Sequence, residues 1–186
     1  MKKYSIVIQP SNSVIEEVRH MKELLASKIG WYNSKNSFAH ITINEFEQDE
    51  MKLVNIKSKL TEITTYLKSR EVQFTSFDTF PNGAFFLKPN VASRYYLKEI
   101  MTSVHQKFSY PTNIKSYEPH ISIGRRIQPK NIEIAKSLFS KNPNISFTCE
   151  TIALRCLNEE RKQFDIIATF SFLGEESQDV VQGLLF

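Results

Sequence analysis

The stretch Ala39-His40-Ile41-Thr42-Ile43 occurs a second time in this chain, in modified form, as Pro119-His120-Ile121-Ser122-Ile123. Each copy reads histidine, aliphatic, hydroxyl, aliphatic. Successive side chains of a β-strand point to opposite faces of the sheet, so in each copy the histidine and the hydroxyl share one face and the two isoleucines share the other. The pattern therefore predicts two strands that each bury isoleucine on one side and present a polar pair on the other.

The polar pair of each predicted strand suits a phosphate ligand. On one strand face the histidine and the hydroxyl residue lie about 7 Å apart, which is close enough for both to contact oxygens of one phosphate. Imidazole has an ordinary pKa of about 6.5, so at neutral pH one ring can accept a proton while another donates one. Two such strands side by side would supply acid–base chemistry on a phosphoester, and the residues alone do not decide which histidine is the acid.

The composition is that of an ordinary globular chain. Its 186 residues are 41% hydrophobic and 24% charged, which excludes a disordered protein and fits one domain spanning 1–186. The net charge of +4 suits an anionic ligand without indicating a nucleic-acid surface. No leader or membrane-spanning segment is expected. Cys149 and Cys156 would be too far apart on one strand for a disulfide, which predicts free thiols and a cytoplasmic protein.

Hydrophobic periodicity predicts an alternation of helices and strands. Helices are expected at about 13–29, 49–69, 91–109 and 130–140, and strands at about 3–9, 38–46, 71–79, 83–88, 118–124, 145–157 and 163–173. This order favours an α+β fold that is bilobal, with two pseudo-symmetric halves whose antiparallel sheets line a central groove and whose helices lie outside. The apolar tail at 180–186 is assigned no structure.

The two His-x-Thr/Ser-x motifs, aliphatic at both x positions and about half a chain apart, resemble those of the 2H phosphoesterase superfamily. Its LigT-like branch contains the 2′-5′ RNA ligases, also described as RNA 2′,3′-cyclic phosphodiesterases. The second motif continues as Gly124-Arg125, similar to the Pro-His-x-Thr-Leu-x-Arg form of that branch. A hairpin segment around Phe80-Pro81 is similar to a Phe-Pro segment between the family's motifs. Ser122 stands where threonine is commoner and keeps the hydroxyl.

The resemblance implies a set of site residues. His40 and His120 would be catalytic, with His40 as the acid and His120 as the base when a cyclic phosphate is opened. Thr42 and Ser122 would donate hydrogen bonds to non-bridging phosphate oxygens. Arg125 stands at the family's arginine position and would contact substrate, although in a regular strand it points away from the His120 face, which leaves a structural role equally open.

A few other residues are candidates for the groove. Arg126 lies an even number of residues after His120, so in a regular strand it would share the face of His120, but it has less support from the family pattern. Arg155 could face either the groove or solvent. Phe80 and Tyr117 could stack on a base. The remaining histidines are expected on helix surfaces: His20 and His105.

The function that the resemblance implies is metal-independent hydrolysis of a 2′,3′-cyclic phosphate or of a 2′-5′ phosphodiester, with ligation as the reverse reaction. The substrate would be an RNA end or a small nucleotide. No cofactor and no metal are expected, because no Asp, Glu or Cys accompanies the two histidines at ligand spacing. One alternative is a catalytically silent RNA- or nucleotide-binding module, and another is an accidental pair of strand motifs. A monomer without membrane contact is expected.

Overall fold

The fold is that of a computed structural model, in which residues 1–176 are described. Within these residues the strands are β1 (Lys2–Ile8), β2 (Ile41–Gln48), β3 (Arg70–Phe80), β4 (Ala84–Pro89), β5 (Ile114–Lys115), β6 (Ile121–Gly124), β7 (Ile145–Cys149), β8 (Thr151–Asn158) and β9 (Gln163–Ser171). The helices are α1 (Asn12–Ile29), α2 (Leu53–Thr65), α3 (Val91–Lys107) and α4 (Pro129–Leu138), with a short 3-10 helix at Glu50–Lys52. The apolar tail at 180–186 lies outside the described residues.

The strands form two antiparallel sheets, which confirms the predicted α+β class. One sheet has five strands in the order β5-β2-β1-β8-β9, and the other has four in the order β6-β4-β3-β7. Each sheet contains one of the two motif strands, β2 in the first and β6 in the second. The five-stranded sheet combines strands from the beginning and the end of the described chain, so neither sheet is a contiguous half of the sequence.

The core follows from the alternation within the strands and from the apolar stripes of the helices. All four motif isoleucines are fully buried, whereas the hydroxyl residues between them are half-buried. Burying an isoleucine side chain stabilises a fold by about 1.5–3 kcal/mol, so these positions fix which face of each motif strand turns inward. The helices bury their predicted stripes against the sheets, as α2 does with Ile56, Leu60 and Ile63.

The predicted strand at 145–157 is wrong in one respect, because it is two strands in different sheets. β7 pairs with β3 of the four-stranded sheet, and β8 pairs with β1 of the five-stranded sheet. The chain changes sheet at Glu150, where no glycine or proline marks a break. Cys149 and Cys156 therefore lie on different strands, and both are free thiols.

Two other boundaries differ from the sequence prediction. The helix predicted at 49–69 begins with a 3-10 turn, and its α-helical part runs only from Leu53 to Thr65. The two-residue strand β5 was not predicted, because two residues show no periodicity; it pairs with the edge of β2. None of the helices between residues 1 and 176 combines the length and the apolar character that a membrane-spanning helix needs.

Candidate active site

Both motif strands contain a β-bulge at the same place in the motif. In β2 the pairing with β1 skips Ile43, the residue directly after Thr42. In β6 the pairing with β4 skips Ile123, the residue directly after Ser122. A bulge inserts one extra residue into a strand, so every side chain beyond it changes face relative to a regular strand. The two motifs thus share a backbone irregularity as well as a sequence pattern.

The bulge in β6 corrects the expectation for Arg125. A regular strand would turn this side chain away from the His120 face, but the extra residue Ile123 reverses the parity, and Arg125 lines the same cavity as His120. Its backbone N–H also donates to the Asn33 carbonyl at 3.2 Å, in an isolated bridge between the two segments. Arg125 therefore has both a structural contact and a side chain in the cavity.

One cavity of about 500 Å³ brings the predicted site residues together. Its lining includes the five residues predicted from the sequence: His40, Thr42, His120, Ser122 and Arg125. A volume of this size is typical of sites for small ligands such as nucleotides. The cavity lies between β2 and β6, so each sheet contributes one histidine and one hydroxyl.

The two histidines are held in the same way. His40 Nδ1 lies 2.6 Å from the Phe38 carbonyl oxygen, and His120 Nδ1 lies 2.8 Å from the Glu118 carbonyl oxygen. A carbonyl oxygen can only accept a hydrogen bond, so in both rings Nδ1 must carry the proton and donate it. In the neutral rings Nε2 is therefore the unprotonated nitrogen, which is the state required of a general base.

Burial lowers the pKa of both histidines. His40 has its pKa lowered well below the ordinary value of 6.5, chiefly by desolvation and then by the positive charge of Arg155. The pKa of His120 is also lowered, chiefly by desolvation. The rings of Phe80 and Phe86 lie 5.1 and 4.9 Å from the His120 ring, which accounts for its desolvation. In the free protein both imidazoles are consequently neutral at neutral pH.

The segment before each motif is tied to the preceding helix by basic side chains. Lys22 of α1 donates to the Ser34 and Ser37 carbonyls, just before His40. Arg94 and Lys98 of α3 pair with the Glu118 carboxylate, just before His120. These cations lower the pKa of Glu118 to about 2. In both motifs, the carbonyl that orients the histidine belongs to a segment anchored in this way.

The cavity has an excess of positive charge. Besides Arg125, its lining includes the basic residues Arg126, Arg155 and Lys162, against the single carboxylate of Glu45. Arg126 adopts a left-handed backbone conformation with φ 55°. Sequence reasoning left Arg155 undecided, and the structure places it in the cavity. The net positive lining favours an anionic ligand.

The other candidates are divided between the cavity and the surface. Phe80 lines the cavity, whereas Tyr117 is outside the lining and packs edge-on against His105. His20 is exposed on α1, as expected. His105 on α3 is half-buried rather than on the surface, and its pKa is lowered chiefly by desolvation. Sequence reasoning missed two further aromatic lining residues: Phe38 and Phe164.

The side chains that a metal ion would need do not converge in the described part of the chain. Between residues 1 and 176, no three side chains of His, Cys, Asp or Glu come close enough together to hold a metal ion. The metal-independence of the site stays a prediction, which a chelator experiment tests below.

Comparison of the sequence with models of known families identifies the family of this chain. The model of the 2′-5′ RNA ligase superfamily matches residues 9–160, which is most of the chain. The chain therefore belongs to the 2′-5′ RNA ligase superfamily, and the resemblance read from the two motifs is confirmed. No curated protein sequence matches the chain.

Several solved structures share the fold at low sequence identity. TT0787 of Thermus thermophilus has a TM-score of 0.63 at 18% identity, covering 95% of this chain and 100% of that protein. E. coli LigT complexed with 3′-AMP has a TM-score of 0.63 at 11% identity, covering 92% and 98%. Usb1 of Kluyveromyces marxianus has a TM-score of 0.55 at 12% identity, covering 91% and 98%. These similarities establish the α+β fold.

Proposed function

We propose that this protein is a metal-independent phosphoesterase that hydrolyses a 2′,3′-cyclic phosphate or a 2′-5′ phosphodiester in RNA or in a small nucleotide. The observation that supports this most is one cationic cavity lined by two imidazoles and two hydroxyls, with Nδ1 of each ring bonded to a carbonyl. Membership of the 2′-5′ RNA ligase superfamily supports a phosphoesterase-type activity. Related structures are described as complexes with 3′-AMP, NADP⁺ and phosphate, which supports a nucleotide ligand.

The proposed reaction is an in-line displacement at phosphorus assisted by both histidines. His120 Nε2 accepts a proton from water, whose oxygen forms the new bond to phosphorus. The bound anionic phosphate raises the pKa of His40, so in the complex this ring also carries a proton on Nε2. The bond from phosphorus to one ribose oxygen breaks, and His40 gives this Nε2 proton to that oxygen. One proton is taken up and one is released, so the step is balanced. Each such transfer is typically worth about 10²–10⁴-fold in rate. If a ribose hydroxyl of a second RNA end takes the place of water as the nucleophile, the same displacement joins two ends.

The hydroxyls and the arginine have a separate proposed role. Thr42 and Ser122 donate hydrogen bonds to the non-bridging oxygens, and Arg125 contributes charge on the side of the four-stranded sheet. Such donors help most where negative charge grows in the transition state. Because each hydroxyl shares a strand face with its histidine, proton transfer and charge stabilisation are directed at one phosphate.

The test is a screen of 2′,3′-cyclic mononucleotides, RNA with a cyclic phosphate end and 2′-5′ dinucleotides. Wild-type protein should turn over at least one class equally well with and without chelator. His40→Ala and His120→Ala should each lower the rate by at least about 10². His20→Ala, which changes an exposed histidine outside the cavity, is the matched control and should keep full activity. Full activity in either cavity variant would refute the proposal.

A substrate with a good leaving group separates the two histidine roles. A p-nitrophenyl phosphodiester needs little protonation of its leaving oxygen, so it bypasses the general acid. His40→Ala should therefore lose much less activity on this ester than on a cyclic nucleotide, whereas His120→Ala should lose activity on both. If instead His120→Ala keeps most of its activity on this ester and His40→Ala loses activity on both substrates, His120 is the acid and His40 is the base. Tight nucleotide binding without turnover of any substrate would instead identify a silent binding module.

A further inference from the structure

Arg155 is the one basic residue in the cavity lining that is almost completely buried. It lies on β8, near the middle of the five-stranded sheet, and only 6% of its surface is exposed. The register of β8 against β1 places Arg155 opposite Ser5. Arginine is rarely buried to this extent unless a carboxylate accompanies it.

No carboxylate pairs with this guanidinium among the described residues. One N–H group, on Nη2, donates to the Ser5 hydroxyl at 3.1 Å, while Nε is buried without any partner. The carboxylate whose charge it feels most is that of Glu45, which is bonded instead to Lys3 at 3.2 Å. A guanidinium has five N–H donors, so most of its hydrogen-bonding capacity is unused. Burying such a charge is unfavourable unless a ligand neutralises it.

The guanidinium is nevertheless held in a defined orientation. Its carbon atom lies 5.1 Å from the centre of the Phe164 ring, a cation–π distance, and the Ser5 hydroxyl fixes one edge. Both Arg155 and Phe164 line the cavity that contains the two histidines. The charge also lies close enough to His40 to lower its pKa. A guanidinium that is held in one orientation beside the two histidines and has no counter-charge is suited to bind an anion.

We propose that Arg155 binds the substrate phosphate from the five-stranded sheet, opposite Arg125 on the four-stranded sheet, so that one phosphate is held between two guanidinium groups. This inference rests on the proposed function, because it takes the phosphate to be the group on which the histidines act. Two guanidinium groups favour a dianion over a monoanion. The cavity should therefore bind a phosphomonoester product more tightly than the cyclic diester from which it forms.

The test measures binding, which does not depend on turnover. Calorimetric titrations with inorganic phosphate and with 3′-AMP compare wild type, Arg155→Met and Arg155→Lys with Arg70→Gln, an exposed arginine of β3 outside the lining. Arg155→Met should raise Kd about 10- to 100-fold, the effect of losing one charge-assisted hydrogen bond. Arg155→Lys keeps the positive charge but lacks the planar set of N–H donors of a guanidinium. Its Kd should therefore lie between those of wild type and Arg155→Met. Arg70→Gln should bind like wild type.

Thermal unfolding separates ligand binding from a structural role. Because a buried, unneutralised charge is removed, Arg155→Met without ligand should melt at or above the wild-type temperature. At the same concentration, phosphate should raise the melting temperature of wild type more than that of Arg155→Met. Unchanged phosphate affinity in folded Arg155→Met would overturn the proposal, whatever its melting temperature. If Arg155→Met does not fold, Ser5→Ala decides: weaker phosphate binding supports the proposal and unchanged binding refutes it.

Failure of the proposed anion site can be distinguished from failure of the proposed catalysis. If His40→Ala and His120→Ala keep full activity while phosphate binding still depends on Arg155, the proposed catalysis fails and the anion site remains. If the histidine variants are inactive while Arg155→Met binds phosphate and 3′-AMP like wild type, the anion site fails alone.

Discussion

Lys22 offers a prediction whose magnitude follows from the structure. Only 2% of this residue is exposed, and its ammonium donates to the Ser37 carbonyl at 2.6 Å, to the Ser37 hydroxyl at 3.1 Å and to the Ser34 carbonyl at 3.2 Å. Burial lowers its pKa from 10.5 to about 8. Between these two pH values the unfolded chain keeps the proton on Lys22 while the folded chain has lost it.

Stability must then rise with pH in this window, because the unfolded state binds more protons than the folded state. At about 1.4 kcal/mol for each pH unit, the interval from 8 to 10.5 corresponds to about 3 kcal/mol. Lys22→Met removes the titrating group. The free energy of unfolding of wild type minus that of Lys22→Met should therefore be constant below pH 8 and should increase by about 3 kcal/mol towards pH 10.5.

Urea unfolding followed by circular dichroism at several pH values measures this difference. All other titrating groups are common to the two proteins, so the subtraction isolates Lys22. Lys28→Met, which removes an exposed lysine from the same helix, is the matched control. A difference between wild type and Lys22→Met that does not change with pH would refute the reasoning. Since Lys22 also anchors the segment before His40, Lys22→Met should lower kcat/KM about 10- to 100-fold in a cyclic-nucleotide assay at neutral pH.

Two further predictions concern the cavity, and a third concerns the packing of Gly124 against Ile127. Because burial lowers the pKa of both cavity histidines, a plot of kcat/KM against pH should be bell-shaped with its maximum below pH 6.5, and a maximum above pH 7 would contradict this. Thr42→Val and Ser122→Ala should each lower kcat by about 10-fold or more with little effect on folding, and single-turnover rates check this. In Gly124→Ala the new Cβ would stand 2.2 Å from Ile127 Cδ1, so thermal unfolding should show a loss of about 1–3 kcal/mol, whereas an unchanged melting temperature would show that Ile127 moves aside freely.

Much of the fold could be predicted because the motif strands have one apolar face. Ile41 and Ile121 had to be buried, and that requirement fixed the face of His40 and His120 without any knowledge of the partner strands. The change of sheet at Glu150 could not be predicted, since apolar strand residues continue on both sides of it and no glycine or proline separates them. The division into β7 and β8 results from pairing with strands that are distant in the sequence.

The site was predictable in its residue types but not in its full geometry. Arg125 faces the cavity only because Ile123 is a bulge residue, and a bulge is defined by the register against β4. Arg155 could not be assigned from alternation alone, because its burial depends on β1 and β9 on either side of β8. Charged residues are usually exposed, so a sequence offers no signal for a buried, unpaired arginine.

The central claim is that both imidazoles act on one phosphate, and proton NMR of the histidine ring signals tests it most directly. The two cavity rings, assigned with His40→Ala and His120→Ala, should titrate below pH 6.5 in the free protein. With 3′-AMP both pKa values should rise together and reach saturation at one equivalent of ligand, because one anion stabilises both charged rings. His20 and His105, outside the cavity, should not respond to the ligand. A response from one cavity ring alone, or from neither, would contradict the account.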